Sequence, residues 1–225
     1  MLVCCWSSKG GSGTTVVAAA LGLVLARAAP AGGLVVDLGG DVPAALGLPD
    51  ADPALGVAEW LARGADLPAD ALARVEVPVH DALGLLPRGR APLQPPPGRA
   101  AALASVLAAD PRAVVVDAGT VPAGAGHDAT ELVAAVAAQA DHSLLVVRPC
   151  FLALRRAVQA PLRPTGVVLV EEDGRALGAA DVEDVVGVPV RATVTVTAKV
   201  ARAVDAGLLA SRLPRSLERE VRHAA

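Results

Sequence analysis

Seven residues near the start of the chain, Lys9-Gly10-Gly11-Ser12-Gly13-Thr14-Thr15, constrain its fold more than any other stretch. They separate a short apolar run, Leu2–Trp6, from a long one, Val16–Leu25. Strand, glycine loop and helix, in that order, let backbone N–H groups converge on an anion, and the helix N-terminus adds partial positive charge. Yet the phosphate-loop pattern G-x-x-x-x-G-K-[ST] is broken, because Thr14 stands where the phosphate-binding lysine belongs. The loop therefore has the form of an anion cradle without its main charge. A glycine turn that holds no ligand is the alternative reading.

The rest of the chain supplies a matching framework. Apolar strand candidates fall at 2–6, 33–37, 83–87, 113–117, 143–148, 166–170 and 188–194. Helical stretches lie between and after them, at 15–29, 54–63, 98–109, 129–139, 151–160, 181–186, 198–206 and 214–223. Alternating strand and helix predicts an α/β fold of three layers, a mostly parallel sheet with helices on both faces. The Pro-rich piece 92–97 reads as a loop before a helix, too short for a domain linker. With no internal repeat, a single domain over 1–225 is expected, with 213–225 as a C-terminal helix.

Charge narrows the function classes. The formal net charge of −3 disfavours a dedicated nucleic-acid binder. Only Lys9 and Lys199 are lysines among 20 basic residues, so a lysine inside the glycine loop is informative. The three cysteines, Cys4, Cys5 and Cys150, sit in apolar runs and read as core residues of a reducing compartment. No signal peptide is evident and Val16–Leu25 is too short for a membrane span, so a cytoplasmic protein is expected. His80, His127, His142 and His223 are scattered without ligand spacing, and no Ser/His/Asp or Cys/His constellation is evident. Trp6 and Trp60 read as buried anchors.

Two apolar runs end in aspartate: Asp37 in Leu-Val-Val-Asp-Leu-Gly-Gly and Asp117 in Val-Val-Val-Asp-Ala-Gly-Thr. Ligands of open α/β sheets sit beyond the carboxyl ends of strands, where such carboxylates orient Mg²⁺ or its waters. Thr15, just after the loop, is placed to ligate the metal with its hydroxyl.

These residues resemble the ParA/MinD family of deviant Walker A ATPases. The family loop K-G-G-x-G-K-[ST] is matched by Lys9, Gly10, Gly11, Gly13 and Thr15. Leu34–Asp37 is similar to the strand entering switch I, and Val114–Asp117 to the Walker B strand. Ala140-Asp141, Leu144–Val147, Pro149 and Ala153-Leu154-Arg155 resemble the family's A-D-x-x-x-x-V-x-x-P-x-x-x-x-L-R stretch. Val188-Pro189-Val190 and Ala203–Leu208 resemble a late G-x-P-V…A-x-x-x-G segment. The resemblance covers nearly the whole chain, and among subgroups it is nearest the MinD-like Flp/Tad pilus assembly proteins, CpaE or TadZ. It implies ATP with Mg²⁺, the metal at Thr15 with Asp37 and Asp117 in support, and an ATP-sandwich homodimer. In that dimer Lys9 reaches the partner's phosphates, and the dimer binds a membrane, DNA or a polar scaffold.

Three departures bear on the nucleotide site. Thr14 replaces the loop lysine, and charged hydrogen bonds are worth roughly 1.5–3 kcal/mol. Gly39 replaces the second switch I carboxylate, with Asp41 two residues on as a possible substitute. Val170 replaces the asparagine that reads the adenine edge, and the Glu171 and Glu172 that follow offer acceptors only. Together they predict a degenerate site: weak ATP binding, at most slow hydrolysis, and a scaffold or assembly role with a polar, secretion or pilus machinery partner. The alternative is a working ATP-dependent dimerisation switch that uses Lys9 in trans.

Two surface features remain. Leu213, Leu217 and Val221 form a narrow stripe on the C-terminal segment; packing back onto the domain is favoured over membrane contact. Arg148, Arg155, Arg156 and Arg163 read as a solvated basic face, with an acidic partner or DNA as the functional alternative.

Overall fold

The computed structural model describes residues 1–48, 55–63, 70–80, 82–122 and 128–225. Within them, eight strands form one sheet. In chain order these are β1 (Leu2–Ser7), β2 (Gly33–Asp37), β3 (Val77–His80), β4 (Leu83–Leu86), β5 (Ala113–Thr120), β6 (His142–Val147), β7 (Gly166–Glu171) and β8 (Val190–Thr195). The helices are α1 (Thr14–Ala28), α2 (Val42–Leu46), α3 (Val57–Ala62), α4 (Arg99–Ala109), α5 (Asp128–Gln139), α6 (Phe151–Val158), α7 (Ala179–Val186), α8 (Ala198–Asp205) and α9 (Arg215–Val221). The sheet order is β3-β4-β2-β5-β1-β6-β7-β8. Every neighbouring pair is parallel except β3 with β4.

Alternation along the strands divides the core. Leu2, Cys4 and Trp6 point into one apolar layer with α3, α4 and α5, whereas Val3 and Cys5 face the other with α1, α8 and α9. Cys4 and Cys5 thus lie in different cores, fully buried and unpaired, the small core residues their apolar setting predicts. Central strands buried on both faces explain the continuous Val/Leu/Ala runs. Few aromatics are needed, because small side chains let helix backbones lie close to the sheet; a Cβ on Gly22 of α1 would stand 2.3 Å from Val35 Cγ2. The two tryptophans are the anchors expected of them. Trp6 donates its indole N–H to Ser143 Oγ at 3.0 Å, and Trp60 lies under the Arg99 guanidinium, 3.9 Å from the ring centroid.

Two elements depart from strict strand–helix alternation. β3 is an antiparallel edge strand, only partly buried and interrupted by Pro78, so it has neither the apolar run nor the alternation that marks its neighbours. α2 has five residues, too few for a helical period to show. Expected elements otherwise agree with those observed to within three residues at each end; residue 54 of the helix expected at 54–63, and His127, lie outside the described residues.

The C-terminal stripe packs inward. Leu217 and Val221 are fully buried between α1 and β8, joined by Ala224, while Arg215, Arg219 and Arg222 face solvent. Glu220 accepts the Thr195 N–H at 3.2 Å, tying α9 to the last strand. The basic group expected around α6 is smaller than four arginines, because Arg148 is ion-paired to Glu172. Arg155, Arg156 and Arg163 are exposed. Among the described residues no helix is long and apolar enough to cross a membrane. Because Leu217 is part of the core, Leu217→Ala should destabilise the protein by about 2 to 5 kcal/mol, read as a shift in urea midpoint. A stripe that served only as a membrane anchor would leave that midpoint unchanged.

Candidate functional site

The carboxyl ends of β1, β2 and β5 bring the expected site residues together. β1 runs into the loop Lys9–Gly13 and the loop into α1, so the helix N-terminus opens above the sheet edge. Gly11 and Gly13 have φ of +76° and +89°, a left-handed backbone in which a side chain is strained. No side chain caps α1 and no acidic residue occupies its first turn, which leaves the helix's donors and positive end to the cavity. Three hydroxyls fix the base of the loop: Ser8 donates to Ala153 O at 2.9 Å, Ser12 to Lys9 O at 2.7 Å, and Ser7 to Gly119 O at 3.2 Å. Ser7 and Ser8 carried no signal as single polar residues at a strand end, and their role is visible only in three dimensions.

The loop borders a cavity of about 960 Å³. Gly10–Thr15 line one side, Leu38, Gly39 and Asp41 a second, and Gly119–Pro122 a third. Arg88 and Gln94 complete it from the segment after β4. Lys9 is absent from the lining; its Nζ turns back to Gly10 O at 3.4 Å.

Asp37 and Asp117 lie side by side at the ends of β2 and β5, and both side chains are fully buried. Asp37 is held by backbone donors, Gly40 N–H to Oδ1 at 2.6 Å and Val42 N–H to Oδ2 at 3.2 Å, so it shapes the turn into α2. Burial nevertheless pushes its pKa up to about 6, against those two hydrogen bonds and with help from the neighbouring Asp117 charge. Burial also raises the Asp117 pKa, moderated by the nearby Thr15 hydroxyl and the Gly119 N–H. Asp117 Oδ1 accepts from Gly119 N at 3.0 Å, whereas the buried Oδ2 makes no hydrogen bond of ordinary geometry. An unpartnered buried carboxylate oxygen beside a threonine hydroxyl suits a hard, oxygen-seeking cation. Thr15 and Asp117 thus fit Mg²⁺ directly, with Asp37 behind them.

The departures have structural consequences. Thr14 is buried in the first turn of α1 and brings no charge to the cavity. Gly39 is packed: a Cβ there would stand 3.2 Å from Asp117 Oδ2 and 3.6 Å from Gly119 Cα. Asp41 lines the cavity and is exposed, but belongs to the turn that starts α2. Val170 is buried against the glycine loop, its Cγ2 3.9 Å from the position of a Cβ on Gly13. Glu172 is bound by Arg148 and Arg175, so its acceptors are engaged. Glu171 and Glu172 border a separate hollow of about 310 Å³ instead of the loop cavity. Arg88 is the residue that sequence reasoning missed. A charged side chain two positions beyond an apolar strand was the available signal, of the same kind that marked Asp37 and Asp117.

No protein-family model and no curated protein matches the chain. Solved structures do. A ParA family ATPase from Chlorobium tepidum TLS aligns over 98% of this chain and 95% of its own, with TM-score 0.77 and 19% identity. The septum site-determining protein MinD of Pyrococcus horikoshii OT3, solved with Mg-ADP, gives TM-score 0.73 at 17% identity over 99% and 93%. MinD in a MinC:MinD cell division complex from Aquifex aeolicus gives 0.74 at 18% over 99% and 95%. At these identities the likeness is one of fold: this chain has the three-layer, mostly parallel α/β architecture of the ParA/MinD ATPases.

Two outcomes test the acidic pair. In metal-free protein the raised Asp37 pKa means that the protonated side chain is the better tolerated form in the fold. Stability from this group is full below about pH 4 and is lost as pH rises through about 6, a span worth about 3 kcal/mol. Urea midpoints between pH 4 and 7 should therefore fall for the wild type relative to Asp37→Asn. Gly39→Asp should lower the midpoint by about 1 to 3 kcal/mol at pH 7.5, because it sets a like charge against Asp117 in a packed turn. Millimolar Mg²⁺ should recover part of that loss.

Proposed function

We propose that this chain is a ParA/MinD-like positioning or assembly factor that works as a homodimeric scaffold and binds nucleotide weakly. The observation that carries the reading is a phosphate cradle with intact backbone and intact Thr15–Asp117 metal corner, but with no lysine at position 14 and no carboxylate at position 39. Gly10–Thr15 would hold the phosphates through backbone N–H groups, and Thr15 with Asp117 would hold the magnesium ion. Bound Mg²⁺ would neutralise phosphate charge and polarise the terminal phosphoryl group. Gly39 leaves no side chain to orient an attacking water there, so hydrolysis is slow or absent.

The proposed partner is a protein of a polar, secretion or pilus machinery, and the likeness to CpaE and TadZ rests on sequence alone. We place the chain in the cytoplasm, in keeping with three unpaired thiols. Nucleic acid is not a proposed partner, given the net charge of −3. The whole chain, 1–225, is proposed to act as one domain.

Sedimentation velocity with and without Mg-ATP tests the reading. A dimer indifferent to nucleotide, with phosphate release at background, is expected. Dimerisation driven by Mg-ATP, with turnover of a few per minute abolished by Lys9→Ala, would overturn it in favour of a switch with Lys9 acting in trans.

A further inference from the structure

We infer that Arg88, from the segment after β4 of the same protomer, supplies the phosphate-facing cation that Thr14 lacks. The inference rests on the nucleotide-site reading above and names the residue on which that binding depends.

Among the described residues, Arg88 and Asp41 are the charged side chains lining the 960 Å³ cavity, and Arg88 is the one cation. It follows Pro87 directly after β4, a strand paired to β2, and so reaches the same sheet edge as Asp37. Its Nη1 donates to Gly39 O at 3.1 Å. That carbonyl belongs to Gly39, the residue packed against Asp117, so the guanidinium is anchored on the turn that borders the acidic pair. The bond also holds Arg88 over the Gly39–Gly40 turn; a Cβ on Gly40 would stand 3.5 Å from Arg88 Cδ. Among the described residues no carboxylate lies within 4 Å of Arg88, whereas Arg112, Arg148 and Arg175 are all ion-paired. A half-buried guanidinium with one of its five donors used and no counter-ion is a ready anion contact.

A guanidinium entering from the Gly39 side can meet two phosphate oxygens through its planar fork, whereas an ammonium would meet them as a point charge.

Calorimetric titration with Mg-ATP, and separately with inorganic tripolyphosphate as the base-free probe, tests the inference. The proteins are the wild type, Arg88→Ala, Arg88→Lys, Thr14→Lys and Thr14→Lys/Arg88→Ala, each checked for an unchanged melting curve. Arg88→Ala should weaken both ligands about tenfold to hundredfold, the worth of one charge-assisted contact. Arg88→Lys should retain an intermediate affinity, and Thr14→Lys should restore binding in the Arg88→Ala background. If Arg88→Ala binds as tightly as a wild type that binds measurably, the role of Arg88 is refuted and the nucleotide site stands. If the wild type binds nothing but Thr14→Lys binds, Arg88 is again refuted and the cradle is confirmed as degenerate. If neither binds either probe, the nucleotide-site reading falls, and the inference with it.

Discussion

Two buried carboxylates on adjacent parallel strands, Asp37 and Asp117, set the terms for everything around them. Neither pairs with a cation, and burial raises the pKa of each. Placing them together is tolerable because backbone donors are brought to them: Gly40 and Val42 to Asp37, Gly119 to Asp117. Those bonds dictate the turn at residues 38–41, the start of α2 and the close approach of Gly39 to Gly119. The loop of β1 then closes the third side through Ser7, which bonds the end of β5. One oxygen, Asp117 Oδ2, is left without a hydrogen-bond partner among the described residues.

The same constraint explains why the three departures belong together. A side chain at residue 39 would crowd Asp117 Oδ2, 3.2 Å from the Cβ position, and a carboxylate there would add like-charge repulsion. Val170 is buried beside the loop, and Glu172 is engaged by two arginines at a separate hollow. The cavity keeps the glycine loop and Arg88 on its wall.

Much of this was legible in the chain. The central strands are buried on both faces, so their Val/Leu runs stood out, and the glycine loop marked the junction of β1 and α1. Asp37 and Asp117 were legible because a charge that ends an apolar run marks a strand's carboxyl end. β3 was hidden because a partly exposed edge strand with a proline has no apolar signature, and α2 because five residues do not complete a period. Arg148 was misplaced into a basic surface because its partner, Glu172, lies 24 residues away, just past the end of the neighbouring strand β7. Arg88 escaped for the same reason: its distance from the loop in sequence says nothing about a sheet order that brings β4 to β2.

The buried acidic pair also links cation binding to stability. Each buried carboxylate disfavours the folded state at neutral pH, and a cation that reaches Asp117 relieves that penalty only in the fold. Under the nucleotide reading proposed above, part of any Mg-nucleotide affinity would come from relief of that penalty. The fold needs neither carboxylate for its core, which is built from Ala, Val and Leu on both faces of the sheet. An asparagine at 117 would keep the Gly119 bond through its carbonyl oxygen and shed the desolvated charge, so scaffold duty alone gives no physical reason for a carboxylate at that position. Under the function proposed above, a divalent cation arriving with a phosphate would be the partner that Asp117 Oδ2 lacks among the described residues.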